Sequence, residues 1–290
     1  MISASLVKEL REMTGAGMMD CKKALVETNG DLDAAVTWLR EKGISKAAKK
    51  ASRIAAEGVC AYQVDGNKAV MYEVNSETDF VAKNESFLKM VENIGKAILA
   101  SKESDPMKAV FEGTTVEEII IQATATIGEK ISLRRVTFFD KTDSQTFGYY
   151  SHMNGKIATL VIIEGNDFEV AKNVAMHIAA MNPKYLDDTK INAEDLEKEK
   201  NILTQEALND PQYQGKPANV IENIVKGRIS KYLKEICLVD QIFVKAADKQ
   251  TVGEYVKSNR SSIISFIRLE VGEGIEKKQD DFVAEVMSQL

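Results

Sequence analysis

At 290 residues the chain is long enough for two or three packed units, and with 44% hydrophobic and 28% charged residues its composition is that of a soluble globular protein. No apolar run approaches the ~18–20 residues of a membrane span. The first residues lack the basic-then-apolar order of a secretion signal, and three scattered cysteines, Cys21, Cys60 and Cys237, argue against a disulfide framework and for a reducing cytoplasm. The net charge of −6 disfavours bulk nucleic-acid binding, although residues 1–55 run the other way, with ten Lys/Arg against seven Asp/Glu.

Residues 3–43 are predicted as three short helices. Leu6, Leu10 and Met13 fall at i, i+4 and i+7 behind the capping candidates Ser3 and Ser5. Thr14-Gly15-Ala16-Gly17 breaks that helix. Met18, Cys21, Ala24 and Leu25 form the next stripe, which ends at Asn29-Gly30. The third helix opens at Asp31, turns Leu32, Ala35, Val36 and Leu39 inward, and is expected to stop at Gly43. Residues 44–56 then read as a helical tether, so that 1–55 make a three-helix domain with its linker. From Lys42 to Arg53 there are five cations and no acid, a pattern that suits a solvated linker or a contact with RNA or an acidic surface. Met18 and Met19 are adjacent and cannot both point inward from one helix, so one of them is left to offer a soft apolar contact to a partner.

The main body begins at Gly58 and contains a duplication. Asp79-Phe80-Val81-Ala82-Lys83-Asn84 returns as Asp167-Phe168-Glu169-Val170-Ala171-Lys172-Asn173, with one residue inserted. Each copy follows a hairpin pattern: one turns at Asp65-Gly66-Asn67 before the apolar run 69–74, the other at Asn154-Gly155 before the run 157–163. Only the first copy carries Thr78-Asp79-Phe80-Val81. In the plain structural reading, Thr78 or Asp79 caps a helix and Phe80 staples the turn to the core. Further helices are expected through Phe87–Ile98, Val116–Ile127 and up to Met181, and a strand over Ile131–Phe138. The body divides on this reading into an N-subdomain at 56–140 and a C-subdomain at 141–189 and 235–275.

Residues 190–234 change character. Leu196 and Leu203 on a highly charged arm, then Ile221, Val225, Ile229, Tyr232 and Ile236 beyond the 210–217 breaker, predict an inserted antiparallel helical hairpin. Pairing of this hairpin with a second copy stays open. Ser262–Val271 reads as a strand. In a last module at 276–290, Asp281 caps a helix whose Phe282, Val283, Val286, Met287 and Leu290 share one face. The fold class is therefore α+β with antiparallel sheets.

Signals for covalent chemistry are missing. The sequence has no Gly-x-x-x-x-Gly-Lys-Ser/Thr loop, no dinucleotide fingerprint, no metal-spaced cysteine pair and no Gly-x-Ser-x-Gly elbow, so neither a cofactor nor direct nucleotide binding is expected. Of its two histidines, His177 lies on an apolar helix and suits hydrogen-bonded packing. His152 adjoins the second hairpin turn, where an interface role competes.

Three ordered motifs carry a resemblance. They are Leu6–Arg11 with Thr14–Leu25, Glu73-Val74-Asn75 with Thr78–Lys83, and Phe266-Ile267-Arg268 with Glu270–Lys277. In these the chain resembles the bacterial elongation factor Ts family over essentially its whole length. The resemblance implies a ubiquitin-associated-like three-helix domain, a duplicated core, a helical hairpin and a C-terminal helix. It also implies a cytoplasmic guanine-nucleotide exchange factor, not an enzyme in the covalent sense, that binds the GTPase elongation factor Tu and releases its GDP. By the same resemblance Thr78, Asp79, Phe80 and Val81 disturb the partner's Mg²⁺ site, and Arg11, Met18, Met19 and His152 make partner contacts.

Overall fold

In the computed structural model, which describes residues 2–101 and 103–276, the chain is α+β and divides into two units. One takes in the chain to Asp140, residues 151–158 and the segment from Leu269; the other takes Lys141–Tyr150 and Thr159–Arg268. The expected C-terminal helix with Phe282, Val283, Val286, Met287 and Leu290 lies outside the described residues.

The first unit opens with helices α1 (Ala4–Thr14), α2 (Met18–Glu27) and α3 (Leu32–Lys50). Ser3 caps α1 by accepting from the Leu6 N–H, and Asp31 caps α3 by accepting from the Ala34 N–H. Val7, Leu10, Cys21, Ala24, Leu25 and Ala35 close their shared core. Then come β1 (Glu57–Asp65), β2 (Lys68–Ser76), α4 (Asp79–Ala82), α5 (Glu85–Ala100), the small ribbon β3 (Val110–Phe111) and β4 (Thr114–Thr115), α6 (Val116–Ile127) and β5 (Ser132–Asp140).

The third helix does not stop at Gly43 as expected; α3 runs on to Lys50. Tertiary packing overrides the breaker. Gly43 is buried against α6, where an added Cβ would lie 3.6 Å from the Ala125 Cβ and 3.8 Å from the Ile121 Cγ2. An Arg40–Glu118 ion pair spans the same contact. Those distances are ordinary van der Waals contacts, so alanine fits. Gly43→Ala is expected to stabilise the protein by roughly 0.5–1 kcal/mol through lower unfolded-state entropy and better helix propensity. A lowered urea midpoint in that variant would mean that the α3–α6 contact is closer than described.

The sheet is antiparallel in the order β1–β2–β5, and β2 is buried along both faces from Ala69 onward, as a central strand should be. On one face Val70, Tyr72 and Val74 pack with Phe87, Val91, Ile94 and Ile98 of α5 and Val116 and Ile120 of α6. The Tyr72 hydroxyl donates to the Val91 carbonyl (2.9 Å). A Cβ at Gly95 would lie 2.1 Å from that hydroxyl, so only glycine lets α5 settle on the strand.

The other face of β2 holds Glu73, fully buried. A bulge between Met71 and Glu73, with Arg135 of β5 at φ 50°, brings the Arg135 Nε to 2.7 Å and the Arg134 Nη1 to 3.4 Å from its carboxylate. The Asn75 amide (2.8 Å) and the Gly272 backbone N–H (2.7 Å) also donate to it. Burial works against the Arg135 charge, yet the Glu73 and Glu273 carboxylates hold its pKa above the ordinary value. The cluster ties the segment after Leu269 to the centre of the first sheet.

The second unit is built on β6 (Gln145–His152), β7 (Ile157–Glu164), α7 (Phe168–Met181), α8 (Ala193–Asn209), α9 (Ala218–Ile236), α10 (Val252–Ser258) and β8 (Ser262–Glu270). The sheet order is β6–β7–β8. Val161 and Ile163 pack with Val170, Val174 and Ile178 of α7 and with Leu238, Phe243, Val252 and Val256. Helices α8 and α9 form the expected hairpin around a small core of Ala207, Ile221 and Val225, with Leu203, Tyr213 and Ile229 against it. His177 is the packing histidine anticipated: its Nδ1 accepts from the Val244 N–H (3.2 Å), leaving Nε2 to donate to the Gln241 Oε1 (2.9 Å). Burial lowers its pKa, so it stays neutral.

Candidate partner-binding site

The backbone leaves the central strand β2 and turns at Glu77-Thr78 into a single helical turn, α4. Of the two capping candidates the structure selects Thr78, whose Oγ1 accepts from the Val81 N–H (3.4 Å). Asp79 therefore sits one place inside the helix and is spared the capping role. Its carboxylate pairs with Lys83 (2.6 Å), and that hydrogen bond, with the nearby charges of Lys83 and Lys156, lowers its pKa. Val81 leans on the core beneath, and Asn84 starts the next helix by capping the Ser86 N–H.

Phe80 does not staple anything. It is 83% exposed, the most exposed of the large hydrophobic residues among the described residues. A side chain of that size standing in water on a rigidly capped turn has no stabilising role in the free protein, and a patch of this kind marks an interaction site.

The duplicate is built differently. There Asp167 makes the cap itself, accepting from the Val170 N–H (3.1 Å), and the helix runs unbroken through α7. Phe168 is 40% exposed and rests with its ring centroid 5.4 Å from that of Tyr149. Phe168→Ala should accordingly cost about 1–2 kcal/mol, below the ~3 kcal/mol of a full core deletion. Thermal melts of that variant would decide it, and a loss above ~3 kcal/mol would show the ring to be a core member after all.

The other expected contact residues lie in two places. His152 is exposed at the end of β6, followed by Met153 (67% exposed) and the Asn154-Gly155 turn. That turn is pinned to β1, since the Cys60 N–H donates to the Gly155 carbonyl (2.7 Å). A shallow groove lined by Cys60, Tyr62, Ala82, Lys83, Leu88 and Asn154 links the turn to the base of α4. The structure thus brings the 78–81 turn and the 151–156 turn to one surface. Arg11, Met18 and Met19 are exposed around the α1–α2 junction. One of the two methionines was expected inside; neither is, because Cys21, Ala24 and Leu25 fill the inward face of α2. Met13, read as part of the inward stripe of α1, is also exposed (57%) and adds to this apolar cluster.

The basic tether is less available than its composition suggests. Lys46 pairs with Asp20 (2.8 Å), Lys50 donates to the Gly128 carbonyl (2.6 Å), Arg53 pairs with Glu77 (3.3 Å), and Lys42 lies over the Trp38 ring. Four of its five cations are engaged within the unit. The cysteines are buried, and burial pushes the Cys60 thiol up to about 12 and the Cys237 thiol to about 11. Neither has the thiolate character of a nucleophile.

Sequence reasoning missed Glu129, in the α6–β5 turn. Its Oε2 accepts from the backbone N–H groups of Glu77 and Thr78 (3.0 Å each), and its Oε1 accepts from the Thr78 hydroxyl (2.6 Å). No local pattern links residues some fifty apart, so the sequence carries no signal for it.

Comparison of the sequence with known proteins finds a family. Residues 77–273 match the family described as Elongation factor TS. The elongation factor Ts of Acholeplasma laidlawii (strain PG-8A) is 53% identical over 293 aligned residues, which cover the whole of this chain and 99% of that protein.

Proposed function

The chain belongs to the elongation factor Ts family and has the role of a translation elongation factor; from that premise we propose that it is the guanine-nucleotide exchange factor for elongation factor Tu, working in the cytoplasm. The observation that carries this reading is the capped, outward-facing turn at Thr78–Val81 with Phe80 in solvent.

An exchange factor needs no covalent step. It needs a coupling free energy: if it binds the empty GTPase more tightly than the GDP-bound one, GDP is weakened by the same factor, at about 1.4 kcal/mol per tenfold. Mg²⁺ in a GTPase bridges phosphate to protein and demands near-ideal oxygen geometry, so a small displacement of its surroundings loosens the nucleotide. Phe80 acts as an apolar wedge that gains surface burial only in the complex, and Asp79 offers a charged group beside it. Arg11, Met18 and Met19 dock the helical end of the protein, and His152 with Met153 extends the surface around the wedge.

Mixing the protein with elongation factor Tu that carries a fluorescent GDP analogue tests the reading. Release should accelerate in proportion to the protein added until it saturates, and the isolated chain should bind neither GDP nor GTP in calorimetry. A release rate untouched by the protein would sink the proposal.

A further inference from the structure

The wedge can only work if its mount does not give. Thr78 Oγ1 makes two bonds at once: it accepts from the Val81 N–H and donates to the Glu129 carboxylate. Glu129 also takes the N–H groups of Glu77 and Thr78, so its two oxygens hold three donors at the root of the turn. The arrangement is reciprocal, because the Glu77 carboxylate accepts from the Lys130 backbone N–H (2.6 Å) and from Arg53 (3.3 Å). Lys130 closes the ring by donating its Nζ to the Arg53 carbonyl (2.9 Å). Two turns, 77–78 and 129–130, thus exchange carboxylates just beyond the end of the β2–β5 ladder, whose last pair is Asn75 with Ser132. Charge-assisted bonds of this kind are shorter and about twice as strong as neutral ones.

This mount is particular to the first copy. In the duplicate the cap is Asp167 itself, and a carboxylate at that place would repel a second one approaching it as Glu129 approaches Thr78. A hydroxyl at the cap allows the mount, since it both donates to a carboxylate and accepts from an N–H, whereas the ionised carboxylate of Asp167 can only accept.

We propose that Glu129 is a positioning residue for nucleotide exchange, holding Thr78 and the turn that presents Phe80 in the geometry in which the wedge enters the partner. The inference rests on the exchange-factor reading above. Glu129→Gln keeps size and removes charge, and its amide cannot accept from all three donors.

Release of fluorescent GDP from elongation factor Tu under saturating protein is to be measured for the unaltered chain, Glu129→Gln, Phe80→Ala and the double variant. Glu129→Gln is expected to slow release about tenfold. In the Phe80→Ala background it should slow release no further, because a mount without a wedge has nothing to position; a general loss of structure would multiply the two effects instead. Thr78→Val, which removes the hydroxyl, should match Glu129→Gln, and Thr78→Ser, which keeps it, should exchange faster than Thr78→Val. This second pair stands even if Glu129→Gln folds poorly. Slow Phe80→Ala with a normal Glu129→Gln, or multiplying effects in the double variant, overturns the inference alone. A normal rate for Phe80→Ala overturns the exchange reading of the turn itself.

Discussion

Phe80→Ala is expected to slow the stimulated release of GDP from elongation factor Tu by about ten- to a hundredfold while leaving the melting temperature of the free protein unchanged. The two halves of that result have one cause. In the free protein the residue is 83% exposed and its ring contributes almost nothing to the core, so its removal falls among surface substitutions, within about 0.5 kcal/mol. In the complex the same ring would pass from water into the partner, and full burial of a phenylalanine is worth roughly 1.5–3 kcal/mol. That loss, at about 1.4 kcal/mol per tenfold, sets the range of the rate effect. Stopped-flow release and a thermal melt on one preparation check both halves. Should the variant melt early, Phe80 is part of the fold; should it exchange normally, the wedge lies elsewhere.

Glu73→Ala should have the opposite profile, with a large loss of stability of about 3–5 kcal/mol. Glu73 is fully buried and faces two guanidinium groups, the Asn75 amide and the Gly272 N–H. Removing one side of a buried ion pair leaves the other charge desolvated and uncompensated, and the cost of that exceeds the worth of the pair itself. Arg135 keeps Glu273 (2.7 Å) and the Glu270 carbonyl as partners and Arg134 keeps the Glu273 carbonyl (3.2 Å), but Arg134 loses its ion-pair partner and the Gly272 N–H its buried acceptor. Urea unfolding measures the effect. A loss below ~1 kcal/mol would show that the arginines swing into solvent and that the cluster holds nothing in place.

Much of the fold was legible in the sequence for a simple reason: its helices and strands obey their local patterns. The inward positions Leu10, Cys21, Ala24 and Leu25 of α1 and α2, the capped start of α3, the hairpin turn at Asp65-Gly66-Asn67 and the end of α7 at Met181 each follow from neighbouring residues. What escaped was decided by residues far apart in the chain. Gly43 reads as a stop and is a packing contact with α6. The seven-residue α10 carries its own signature, Thr251 and Glu254 in a reciprocal cap, but too few apolar residues to be noticed beside it. At the site, the Thr78–Val81 turn could be found from the asymmetry of the duplication. Its meaning turned on exposure, which a sequence does not display: the cap and the staple were read as one motif, and the structure keeps the cap while setting the ring outside. Glu129 was illegible because its partners are set by the folding of β5 against β2.

The central claim is a coupling between this protein and the nucleotide on its partner, and the most direct measurement is the closed thermodynamic square. The affinity of elongation factor Tu for GDP is measured with and without saturating protein, and the affinity of the protein for elongation factor Tu with and without saturating GDP. The two ratios should be equal and well above tenfold, and Phe80→Ala should shrink both together. If GDP binds elongation factor Tu equally well whether or not the protein is present, no exchange function can be attached to the Thr78–Val81 turn, however exposed its ring.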